Sequence, residues 1–300
     1  MEHVGPPAAV AGHVAVGLPR GGDVPVGCDP VLTIRARSAR VEDVPASLAG
    51  TTGRVADEAA VVHAVTVVVD AVAAYLHRVW VDLVVVVVAV LVVVPAVAGG
   101  VLGTLALATV VVGIAYDKVE AAWRENRNRD LTPVEMEPNE WISVSGGGPE
   151  FLAFIEEELI PVIDARYRTD PADRTLSGAS FAGLFTLYAM FEKPDLFHRY
   201  LAAVPSLWYG DGVLYQMEEA YARGRDDARA RLYMSGEGFA ASDWAPQYWQ
   251  RLWDMTARLR QHEWENFHVK TEIMEGEHHA SAQPRSFTRG LLWLFEKPAP

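Results

Sequence analysis

Hydrophobic and polar positions follow two different regimes along this chain. From about residue 149 onward, helical periods and short apolar runs take turns. Phe151, Leu152, Ile155, Leu159 and Ile160 recur at helical spacing, with Glu156, Glu157 and Glu158 on the other side. Pro149 and the early acidic residues suit a helix N-terminus, so the pattern predicts a helix from 149 to about 167, kinked at Pro161. Beyond it the pattern predicts strands over 174–178, 200–204, 230–235 and 267–274, and helices over 181–191, 213–223, 245–261 and 283–295. Strands alternating with helices of about 10–15 residues imply a mostly parallel sheet with helices on both faces. Upstream, 110–114 reads as a strand and 141–145 as a short extended piece.

The first 115 residues read differently. They hold 33 of the 40 valines, but only Tyr75 and Trp80 of the 29 aromatic residues. Aromatic rings supply much of the buried area of a core, so the two parts do not share one pattern. Residues 1–60 are rich in Gly, Pro and Ala with neither helical nor strand period, and are expected to be loop or weakly ordered. No charge occurs from Leu83 to Tyr116. That run is long enough to cross a bilayer, which needs about 20 apolar residues. Pro95, Gly99, Gly100 and Gly103 break it into Val-rich pieces of the kind found in buried parallel strands. The expectation is therefore buried strand–helix–strand, with membrane contact through 83–116 and a shifted reading frame as the alternatives. The expected organisation is a poorly ordered or unassigned region over 1–80, then one α/β domain over 81–300 with an atypical Val-rich first part. Met1-Glu2-His3-Val4 does not open a basic-then-apolar leader, so no secretory signal is expected. The expected compartment is the cytoplasm, with membrane association as the alternative.

Charge narrows the function classes. The 300 residues carry 26 Lys+Arg against 39 Asp+Glu, a net −13, which argues against nucleic-acid binding through a basic stripe. The single cysteine, Cys28, excludes an intramolecular disulfide and a paired-cysteine metal site. No cluster of Cys, His and Asp has metal-ligand spacing, and the adjacent His278 and His279 do not readily share one ion. Neither a metal nor a cofactor is expected.

In a parallel sheet the chemistry collects at the carboxyl ends of the strands. Three predicted strand ends carry reactive side chains. Ser177-Gly178-Ala179-Ser180-Phe181-Ala182-Gly183 joins a strand to an apolar helix and follows the nucleophile-elbow pattern G-x-S-x-G, with Ala182 in the last position. Small residues are needed there because the turn is tight, and the following helix aims its first N–H groups at the serine. Glu275-Gly276-Glu277-His278-His279 follows the last strand, where a histidine is placed to act as general base. Glu237 follows the strand before it and is the candidate acid, with Asp243 or no acid at all as alternatives. The order Ser180, Glu237, His279 is the order of an α/β-hydrolase. Trp208 also follows a strand end and is a candidate pocket residue, whereas Trp249 and Trp253, four apart on one helix face, read as core.

From Asn126 to Phe295 the chain resembles an esterase family of the α/β-hydrolases, most of all its bacterial siderophore (enterochelin) esterase branch. The matching stretches are Arg129-Asp130-Leu131-Thr132-Pro133, Phe151 to Tyr167, Leu176 to Ser180, Pro205-Ser206-Leu207-Trp208 and Gly276-Glu277-His278-His279, with Val110 to Ile114 as the strand before them. The resemblance implies an α/β-hydrolase fold with Ser180 as nucleophile and His279 as the histidine; His278 stands where that family carries Asn. It places Glu237 near the family acid. It also implies an Asp-Gly pair in the region of Val84 to Val94 for the oxyanion hole, which this sequence lacks. The Phe181 N–H is one expected oxyanion donor; the second is unassigned, and Gly146-Gly147-Gly148 reads rather as a flexible loop. The function so implied is serine carboxylic-ester hydrolysis of a small-molecule ester, siderophore-like or simpler. An acyltransferase of the same fold and a non-catalytic, membrane-tethered relative are the alternatives.

Overall fold

The computed structural model describes residues 31–38, 108–115, 123–167, 169–238 and 245–296. Strand β1 (Val31–Ser38) pairs antiparallel with β2 (Ala108–Ala115), Val31 opposite Ala115. β2 contains the strand predicted over 110–114. β1 is a regular element inside the stretch read from sequence as loop. The rest of the Val-rich run, 83–107, lies outside the described residues. Helix α1 (Trp123–Asp130) follows. Among the described residues, no helix is long and apolar enough to cross a membrane.

The piece at 141–145 forms no strand. Helix α2 is continuous across Pro161, as Gly148–Phe154, a π-helical turn Ile155–Leu159 and Ile160–Arg166. A widened turn stands just before the proline. Ile160 bonds five residues back, to the Ile155 carbonyl, and the slack accommodates a residue with no N–H to give.

A four-stranded parallel sheet follows, in the order β3 (Thr175–Ala179), β4 (Arg199–Ala203), β5 (Ala230–Gly238) and β6 (Phe267–Glu275). The connecting helices are α3 (Phe181–Glu192), α4 (Val213–Ala222) and α5 (Ala245–Gln261), with α6 (His279–Phe295) closing the fold. Successive strand residues feed opposite cores. Tyr200, Ala202, Leu232 and Met234 join one core with Leu184, Phe185, Leu252 and Met255 of α3 and α5. Leu201, Ala203 and Tyr233 join another with Ala282, Phe287 and Leu291 of α6. Burial on both faces is why these strands read as unbroken apolar runs. Helix α3 is buried from Phe181 to Phe191, which explains its lack of a polar side.

Two polar clusters tie helices to the frame. Glu218 of α4 is fully buried and accepts from Arg258 Nε at 2.7 Å, with His262 Nε2 at 2.6 Å. Arg199 and Arg231 sit opposite each other on β4 and β5 and reach the last turn of α6: Arg199 Nε donates to the Leu294 carbonyl and Arg231 Nη2 to that of Trp293. Asp173 forms an ion pair with Arg199. Burial, then the neighbouring Arg231 charge, push the Arg199 guanidinium below its ordinary value.

Helix α6 approaches the sheet through Gly290, where an added Cβ would stand 2.6 Å from Leu201 Cδ1 and 2.7 Å from Tyr233 Cδ1. Both neighbours are fully buried and have little room to move. Gly290→Val is expected to destabilise the fold by about 1–3 kcal/mol through overpacking. Urea unfolding reads this directly, and an unchanged midpoint would contradict the packing described.

Candidate active site

The turn from β3 into α3 passes through one residue. Ser180 has φ 59° and ψ −120°, a backbone region that costs a non-glycine residue about 1–3 kcal/mol. Its surroundings hold it there. Its N–H donates to the Ala203 carbonyl at 3.0 Å, and its carbonyl accepts from Leu184 at 2.9 Å and Ser206 at 3.3 Å. A Cβ on Gly178 would lie 2.4 Å from the Ala182 carbonyl oxygen; one on Gly183 would lie 2.9 Å from that of Ala203. The small residues at 178, 182 and 183 therefore let strand, helix and the neighbouring strand end converge. Phe181 opens α3, so its N–H belongs to the first helical turn, whose N–H groups lack intrahelical acceptors.

Sequence reasoning did not single out Val204, at the next strand end. It too has a left-handed backbone, φ 40°, although it is β-branched, and its N–H donates to the Ser235 carbonyl at 3.0 Å. Its one signal was Pro205, which disfavours right-handed helical geometry in the residue before it.

Glu237 and His279 come together. The His279 Nδ1 to Glu237 Oε2 distance is 3.3 Å; the carboxylate is buried at 7% exposure and the imidazole is 45% exposed. β5 extends to Gly238, so Glu237 is a strand residue and not a loop acid. Trp249 Nε1 donates to the Glu237 carbonyl at 2.7 Å, and the Gly238 N–H donates to the Glu277 carbonyl at 2.9 Å. These bonds fasten the acid strand to α5 and to the histidine loop. Tyr248 is buried beside them, and burial, with the Glu237 charge adding, pushes its phenol well above the ordinary value. Asp243 lies outside the described residues.

The two adjacent histidines part company. Helix α6 starts at His279, four residues earlier than predicted, and His278 is its N-cap. The observed cap, an imidazole, is outside the usual Ser/Thr/Asp/Asn set, so the pattern carries no signal for a helix start at this point.

The glycine segment is pinned. The Gly146 N–H donates to Thr132 Oγ1 at 2.8 Å, that of Gly147 to the Arg129 carbonyl at 2.9 Å and that of Gly148 to the Thr132 carbonyl at 2.9 Å. All three N–H groups are committed to the 129–132 segment, which removes them as oxyanion donors and corrects the flexible-loop expectation. Residues 84–94 lie outside the described residues.

An aromatic wall flanks the elbow. The Phe181 ring lies 5.9 Å from Trp208 and 5.7 Å from Tyr209, with the Arg127 guanidinium 5.2 Å over it. Trp208 is 42% exposed, while Tyr209 is buried and donates its hydroxyl to the Val134 carbonyl at 2.7 Å. Trp249 packs against the α6 core as expected, but Trp253 is exposed and is not a core residue. Among the described residues, no three of His, Cys, Asp and Glu gather as a metal site would require.

Residues 106–281 match the model of the family described as "Putative esterase", more than half of the chain. The ferri-bacillibactin esterase BesA of Bacillus subtilis is 38% identical over 106 residues, 33% of this chain and 36% of that protein. The siderophore triacetylfusarinine C esterase of Aspergillus fumigatus is 29% identical over 211 residues, 62% of this chain and 70% of that protein. The chain thus spans about a third of the first relative's length. The crystal structure of an IroE-like serine hydrolase from Shewanella oneidensis superposes with a TM-score of 0.54 at 26% identity, covering 62% of this chain and 59% of that one. The fold is the α/β-hydrolase fold.

The strained turn makes a prediction about stability. Ser180→Gly relieves the positive φ and Ser180→Ala does not, so the glycine variant should be more stable by about 1 kcal/mol. Equal unfolding midpoints for the two would show that the turn stores no strain.

Proposed function

The chain belongs to the "Putative esterase" family, and from that premise we propose that it is a serine carboxylic-ester hydrolase working through an acyl-enzyme. One observation carries the reading. A serine on a strained strand-to-helix turn and a histidine paired with a buried carboxylate follow strands of one parallel sheet, all at its carboxyl edge.

In this reading Ser180 Oγ attacks the ester carbonyl and His279 takes its proton. Nδ1 of His279 faces Glu237, which leaves Nε2 for the serine. Glu237 holds that tautomer and stabilises the imidazolium. The Phe181 N–H and the N-terminus of α3 stabilise the tetrahedral oxyanion. His279 returns the proton to the leaving alcohol as the C–O bond breaks. Water then attacks the acyl-enzyme with His279 as base, releasing the acid and restoring Ser180.

The substrate is a small-molecule ester, and the siderophore class fits the names of both relatives. Exposed Trp208 beside the elbow offers a flat face to an aromatic acyl group, with the Arg127 charge nearby.

A fluorophosphonate probe read by intact mass tests the proposal. The parent protein should gain one adduct, Ser180→Ala none, and His279→Ala should react about 100-fold or more slowly. Glu237→Gln should slow ester turnover by about tenfold or more. A folded parent protein that takes no label would overturn the reading.

A further inference from the structure

The cap of α6 is itself titratable. His278 Nδ1 accepts from the N–H of Ala280 at 3.3 Å and of Ser281 at 3.5 Å, and Ser281 Oγ accepts from the His278 N–H at 3.1 Å. This is a reciprocal capping box in which an imidazole replaces the usual hydroxyl or amide. An imidazole nitrogen accepts only while it carries no proton; in the imidazolium both ring nitrogens are donors. Protonation therefore removes both bonds to the helix and sets a positive charge against the positive end of its dipole. Histidine is the side chain whose charge changes in the neutral range.

The helix so capped begins at His279, whose ring faces Glu237. We propose that His278 is a positioning residue: neutral, it holds His279 toward Glu237 and Ser180; protonated, it releases the first turn of α6. Acid then weakens the site through two histidines in place of one. The inference rests on His279 being the base.

The surrounding charges act in both directions. Glu277, next in the loop, is held below the usual carboxylate range by the Ser281 hydroxyl, by Arg285 and by the His278 charge, and it favours the imidazolium. Arg285 of α6 disfavours it; its Nη1 contacts Glu277 Oε1 at 3.0 Å and the Glu275 carbonyl at 3.4 Å. On the next residue, Glu237 of β5 faces the His279 ring. His278 is exposed, so salt screens these charges but leaves the geometry of the cap in place.

The test compares the full chain with His278→Asn, a cap that does not titrate, and His278→Ala, which caps nothing. Each is assayed for 4-nitrophenyl acetate hydrolysis and fluorophosphonate labelling between pH 5 and 9. His278→Ala should lose between about twofold and thirtyfold in kcat at pH 8, the range of cap deletions, and His278→Asn should retain the parent rate. Normalised at pH 8, the parent should fall below His278→Asn at pH 5 by a factor in that same range. Amide exchange gives a readout apart from activity: protection at Ala280 and Ser281 should fall between pH 8 and pH 5 in the parent and persist in His278→Asn. Superimposable acid limbs, or protection unchanged with pH in the parent, would overturn the inference and leave the esterase reading standing. Absence of turnover and labelling in all three proteins would overturn both.

Discussion

The chain changes from strand to helix across Ser180, in a backbone geometry that side chains resist. The rest of the carboxyl edge is arranged around that one residue. Gly178 must lack a Cβ because Ala182 folds back over it, and Gly183 must lack one because the end of β4 runs alongside. The Ser180 amide bonds to Ala203, so β4 ends in register with the turn. The chain then leaves β4 through a second left-handed residue, Val204, tied in turn to Ser235 of β5. Three neighbouring strand ends are thus linked by backbone bonds, and strain at two of them is held by pairing along the sheet.

On the far side of the sheet the constraint is of another kind. Glu237 is buried, and its position depends on bonds to its backbone and not to its carboxylate alone. Trp249 takes its carbonyl, and Gly238 joins the Glu277 carbonyl in the loop that leads to the histidines. Gly238 lies so close to Met274 that a Cβ would meet the carbonyl oxygen at 2.3 Å. Backbone bonds thus join Glu237 to the loop that precedes His279 at the β5–β6 edge.

Much of this was legible in the sequence, for a physical reason. Parallel strands covered on both faces leave unbroken apolar runs such as Tyr200 to Ala203, and the helices between them carry a regular period. The elbow was legible because its sterics demand small residues at fixed offsets. What the pattern missed was decided by contacts distant in sequence. Gly236-Glu237-Gly238 resembles a turn, yet pairing with Ile273, Met274 and Glu275 carries β5 through it. Gly146-Gly147-Gly148 resembles a flexible loop, yet Thr132 and Arg129, some 15 residues earlier, bind all three amides. The start of α6 was missed because a histidine does the work of an asparagine. The separate positions of His278 and His279 follow from that cap, and spacing alone left the choice between them open.

The arginine pair at the opposite end of the sheet bears on where this domain can be cut. Arg199 and Arg231 are like charges in direct register, and they find their acceptors in the last turn of α6 and at Glu296. The family match stops at residue 281, three residues into that helix. An expression boundary drawn there would remove the carbonyls that accept from the two guanidinium groups, together with the α6 side of the second core. A chain cut or fused before Glu296 would therefore lose packing against the sheet itself and not merely a trailing end.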